Sequence, residues 1–95
     1  MPEHTEARAL PRLSAFEPGE ALTIVGVLVD PAEGASAEVA GRLRALGFVP
    51  GTRVEVLRRA PLGDPVEYGL RGTRVSLRRS EARHVQVTPK DQEEH

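Results

Sequence analysis

The 95-residue chain has no cysteine and no tryptophan, and its only aromatic side chains are Phe16, Phe48 and Tyr68. Without cysteine, neither a disulfide nor a thiolate-bound metal can hold the fold together, and a reducing, cytoplasmic setting is the simpler expectation. So few aromatics argue against the stacking platforms that bind single-stranded nucleic acid, and against the aromatic-lined grooves that take polyproline. Long apolar runs are missing too. Met1 to Leu10 is polar and acidic, so no secretory signal and no membrane span is expected, and the protein should be soluble. His4, His84 and His95 have no shared-ligand spacing, and Glu93-Glu94-His95 reads as a solvated tail, so no tight metal site and no cofactor is expected. Ser76, Ser80 and His84 come nearest to a nucleophile and base, but no glycine-rich backbone surrounds a serine, and enzymatic activity is not expected. Phosphate cradling fails as well. Leu62-Gly63-Asp64 and Arg71-Gly72-Thr73 hold isolated turn glycines that open no helix.

What is present is arginine, concentrated in the middle of the chain. Between Arg42 and Arg83 ten arginines face only Glu55, Asp64, Glu67 and Glu81, a local net charge of +6 within a chain of net charge −1. The commoner meaning of such arginines is a solvated outer surface on a small barrel; the functional one is an electropositive face for an acidic partner or nucleic acid. With 39% hydrophobic residues, the chain supports one small domain, which buries roughly 60 to 65% of the surface its unfolded chain exposes.

The stretch from Arg42 to Gly51 organises the reading. Val39, Leu43 and Leu46 fall at i, i+4 and i+7 on one helical face, Ser36 suits the N-cap, and Gly47 stops the helix. Gly41 weakens that helix by about 1 kcal/mol relative to alanine, so it needs a packing partner. Phe48 and Val49 then head for the core, and Pro50-Gly51 suits the centre of a type II turn, as does Pro18-Gly19. Met1 to Arg12 is expected to be mobile, and Leu13 to Phe16 to tuck under the domain. Leu22 to Val29 reads as a strand with a bulge or bend at Gly26, and Asp30 to Ala35 as a loop. Further strands follow at Arg53–Arg59, Val66–Leu70 and around Val75–Leu77, the last two joined by a tight Arg71-Gly72 turn. Ser80-Glu81-Ala82 resembles a single helical turn opened by a serine cap; Val85 and Val87 begin a last strand that Pro89 ends, before an acidic, disordered tail.

The sum is a mostly β fold: a small barrel of about five short strands with one inserted α-helix. SH3-like and OB-like barrels both fit the periodicity, and the helical turn before the last strand favours the SH3-like form.

Three segments in order, Leu46-Gly47-Phe48-Val49-Pro50-Gly51, Ala60-Pro61-Leu62-Gly63-Asp64-Pro65 and Gly72-Thr73-Arg74-Val75-Ser76-Leu77-Arg78, resemble the FeoA family of ferrous iron transport accessory proteins. The likeness spans Leu13 to Thr88, with Gly69 as a departure that interrupts the hairpin strand. It implies an SH3-like barrel, a cytoplasmic location and association with the membrane GTPase FeoB, which carries ferrous iron. It does not imply that the chain itself binds iron. The module also resembles the C-terminal domain of iron-dependent repressors, whose DNA-binding helices have no counterpart here. The expectation is an adaptor that docks on the transporter, with Arg42, Arg44, Arg58 and Arg59 as candidate partner contacts. The alternatives are a barrel holding structured RNA by its arginine strands, and a homo-oligomer that covers its own strand edges.

Overall fold

A computed structural model describes residues 10–89. Its elements are β1 (Ala21–Val27), α1 (Ala37–Ala45), β2 (Arg53–Arg59), β3 (Val66–Leu70), β4 (Thr73–Leu77), a four-residue α2 (Arg79–Ala82) and β5 (Val85–Pro89), with 3-10 turns at Leu13–Ala15 and Pro31–Glu33. The strands form one antiparallel sheet in the order β4-β3-β2-β1-β5. The small, mostly β, SH3-like architecture expected from the sequence is the one observed.

Alternation fixes which face is inside. Val54 and Val56 of β2, Val66, Tyr68 and Leu70 of β3, and Val85 and Val87 of β5 are all buried, while Arg53 and Glu55 point out. Two irregularities curl the sheet: the register shifts between Ile24 and Gly26 in β1 and between Val56 and Arg58 in β2. The first is the bulge expected at Gly26. Leu13 and Phe48 close the core and are fully buried, and Phe48 meets Tyr68 edge to face, ring centroids 6.5 Å apart.

Turn chemistry decides the connections. Gly51 sits at φ +87° inside a turn closed by Thr52 N–H donating to Val49 C=O at 3.2 Å, and Pro18-Gly19 repeats the pattern, with Glu20 N–H on Glu17 C=O at 3.1 Å. The Arg71-Gly72 hairpin has both central residues at positive φ, 50° and 81°, as a type I′ turn requires, although arginine is an unusual occupant of the first position.

Four expectations are corrected. The first strand stops at Val27 rather than Val29: Leu28 N–H makes a last bond across to His84 C=O at 2.8 Å, next to the Val27–Val85 pair, and Val29 is exposed. Asp30 to Ala35 is built rather than irregular: Asp30 Oδ1 accepts from Ala32 N–H, and Asp30 pairs with Ala35. Ser36 does cap α1 through Val39 N–H at 3.1 Å, but the buried face is Ala40 and Leu43, with Val39 partly covered and Leu46 44% exposed. The reversal at Gly47 carries Phe48, not Leu46, into the core. Last, α2 is capped by Glu81 Oε1 accepting from Arg78 N–H at 3.0 Å, and Ser80 lies inside it.

Pro11 and Arg12 join the sheet edge, with Val87 N–H donating to Pro11 C=O at 3.0 Å, and Pro89 pairs with Leu22 inside β5. The expected mobility of the first residues and disorder of the acidic tail otherwise concern positions outside the described residues.

Candidate functional site

The four candidate arginines fall into two pairs by what holds them. Arg59, at the end of β2, turns toward the N-terminal turn: its guanidinium meets Glu17 at 3.0 Å and donates to Phe16 C=O at 3.4 Å, and its side chain is only 28% exposed. This arginine ties the opening segment to the barrel. Arg42 leaves α1 to pair with Glu81 of α2, the same carboxylate that caps α2. Glu81 therefore links the two helical elements as well as closing one of them. Arg44 and Arg58 are exposed, and their guanidinium groups have no ion-pair or hydrogen-bond partner among the described residues.

These side chains do not converge. Arg42 borders a depression of about 410 Å³ between the helical elements, together with Glu33, Ser80, Arg83 and His84. Arg58 borders a smaller one of about 220 Å³ on the outer face of the sheet, beside Pro61, Pro65 and Glu67. Along the same outer face lies a groove of about 400 Å³ with Leu57 and Gly69 at its floor and Arg53, Glu55 and Arg74 at its sides. Sequence reasoning missed this groove. Its only signal was Gly69 within a strand: a methyl added there would sit 3.4 Å from Leu57 Cδ1, so the glycine leaves the space that Leu57 leans into.

Two titratable groups are displaced. Tyr68 is pushed up to about 12, mainly by burial, with Asp64 adding to the rise and Arg59 and Arg79 opposing it. His84 is lowered, first by burial and then by Arg83 and Arg12, against the pull of Glu33 and Asp30. The His84 imidazole is buried and its Nδ1 has no hydrogen-bond partner among the described residues, which disfavours its charged form. Among the described residues no three metal-ligating side chains cluster, and no helix is long and apolar enough to cross a membrane.

A model of the FeoA domain matches residues 12–89, nearly the whole of the described fold. The chain belongs to the FeoA family. The FeoA protein of Chlorobium tepidum is 37% identical over 83% of this chain and 70% of its own, with a TM-score of 0.69. The zinc-complexed FeoA of Stenotrophomonas maltophilia, described as a prokaryotic SH3 domain protein, is 34% identical over 80% of this chain and 87% of its own, also at 0.69. A manganese-dependent transcriptional repressor matches at a TM-score of 0.71 but 18% identity over 37% of its length, which is a likeness of fold alone. No curated protein matches. Within the FeoA fold two of the three segments that carried the resemblance become turns with defined work: Leu46 to Gly51 reverses α1 into β2, and Ala60 to Pro65 closes the β2–β3 loop, with Ala60 N–H on Pro65 C=O at 3.0 Å; the third, Gly72 to Arg78, holds β4.

Proposed function

We propose that this chain is a non-enzymatic accessory protein of ferrous iron transport. It docks on the cytosolic part of a membrane ferrous iron transporter GTPase of the FeoB kind and supports that protein's assembly or GTPase cycle. The observation that carries this reading is the extent of the family match: residues 12–89 are one FeoA domain. A relative from Clostridium thermocellum, 32% identical over 84% of this chain and 46% of its own, is named iron(II) transport protein A. The Stenotrophomonas protein is offered as a ferrous iron transport activating factor. The geometry supports docking by charge. Arg44 and Arg58 present guanidinium forks that are unpaired among the described residues, and Arg42 keeps 60% of its side chain exposed despite its pairing with Glu81. Arg59 contributes by holding the opening segment in place.

The test is capture. The immobilised chain is challenged with detergent-solubilised membranes and bulk RNA from its source, with and without excess RNA, and the bound material is identified. Recovery of the transporter GTPase in both conditions is expected. Recovery of RNA without the transporter overturns the reading in favour of phosphate contacts by the arginine strands.

A further inference from the structure

The sheet has two ends, and among the described residues only one is covered. At β5 the outer edge is occupied by Pro11 and Arg12, through the Val87 N–H bond to Pro11 C=O at 3.0 Å and a bridge between Arg12 and Gln86. β4 is the other terminal strand, and among the described residues nothing pairs with its outer edge. Which backbone groups it offers follows from the register. The two-residue Arg71-Gly72 turn makes Leu70 and Thr73 a hydrogen-bonded pair, so Tyr68–Val75 and Val66–Leu77 are bonded pairs as well. Arg74 and Ser76 occupy the alternate positions, opposite Gly69 and Glu67, and their N–H and C=O groups point away from β3.

We infer that the outer edge of β4 is a docking strand for an extended acidic segment of a protein partner, held by backbone bonds at Arg74 and Ser76 and by the arginines around them. Charge selects this occupant. The Arg74 side chain is 76% exposed and only loosely associated with Glu67, at 3.9 Å. Arg71 stands at the hairpin tip and Arg78 directly after the strand, both exposed. A second copy of the chain pairing edge to edge would bring arginine-rich strands together, which opposes self-association; an acidic strand meets the same charges as partners. The groove over Leu57 and Gly69 opens beside Arg74 on the outer face, where side chains of an added strand on that face would find room. The inference goes beyond transporter docking and does not depend on which protein supplies the segment.

The test uses the full chain, labelled for NMR, and a capped peptide of about eight residues, one strand length, alternating glutamate with threonine. The expected result is saturable shifts along β4, with amide exchange at Arg74 and Ser76 slowed by about tenfold or more at saturation. Val75 and Leu77, already bonded to β3, change little. A peptide with lysine in place of glutamate should have no effect. Ser76→Pro removes only an outward N–H, a change an edge strand tolerates, and should abolish binding in a folded chain; Arg74→Glu should weaken it at least about tenfold without touching the backbone. No perturbation of β4, equal response to the lysine peptide, or unchanged binding by both folded variants overturns the proposal. Concentration-dependent protection of the same amides without peptide overturns it in favour of a second copy.

Discussion

Raising the pH should destabilise this protein through a single phenol. Tyr68 lies in the core, 1% exposed, edge-on to Phe48, and its proton is held to about 12 against an ordinary value of 10.0. Between those values the unfolded chain has released the proton and the folded chain has kept it. The folded state therefore binds more protons, and stability falls as pH rises through this window; below the lower value both states are protonated and Tyr68 contributes no slope. A gap of this size corresponds to roughly 2 to 3 kcal/mol, a large fraction of the roughly 5 to 15 kcal/mol that holds a small domain folded. Tyr68 is the only tyrosine and there is no tryptophan, so tyrosinate absorbance reports on this one residue without overlap. Titrated alongside far-UV circular dichroism, the tyrosinate signal should appear only near the upper value as long as the strand signal persists. Tyr68→Phe should flatten the alkaline limb of denaturant stability in that window. A full tyrosinate signal near the ordinary value, with the β spectrum intact, would refute the reasoning.

Three further outcomes follow from the same geometry. Phe48→Ala removes a fully buried ring and should cost roughly 3 to 5 kcal/mol in denaturant melts; an unchanged melt with lost docking would instead assign Phe48 to an interface. Arg71→Asn places a residue suited to left-handed backbone at φ 50° and should gain about 0.5 kcal/mol, seen as a higher thermal midpoint, even though the 3.3 Å bond from Arg71 to Thr52 Oγ1 is lost. For His84, whose value lies below 6.5 in the folded state, the unfolded chain takes up the proton first, so stability should fall as pH drops below 6.5. His84→Gln should flatten that acid limb in urea melts at stepped pH.

How much of this was legible in the sequence depends on the range of the interaction involved. Pro18-Gly19, Pro50-Gly51 and the helix stop at Gly47 were readable because backbone φ is a local property, and each of these glycines sits at positive φ. Strand faces were readable wherever strict alternation met one buried side, as in Arg53–Arg59. Leu46 was misplaced because its spacing from Leu43 suits a longer helix, whereas the chain reverses one residue later and gives the core position to Phe48. The fates of the arginines were not readable at all. Arg59 finds Phe16 across 43 residues and Arg42 finds Glu81 across 39, so only tertiary structure separates a tethering arginine from a free one. The groove over Leu57 likewise needed the β2–β3 register, which places Gly69 opposite Glu55 and next to Leu57.

Docking on the transporter is tested by a binding isotherm between the purified full chain and the purified, detergent-solubilised transporter GTPase at physiological salt. Saturable binding is expected at micromolar concentrations or tighter, unchanged by excess structured RNA and weakened by Arg44→Glu with Arg58→Glu in a chain whose melt is unaltered. Absence of saturation up to about 100 μM, or binding that RNA abolishes, would contradict it.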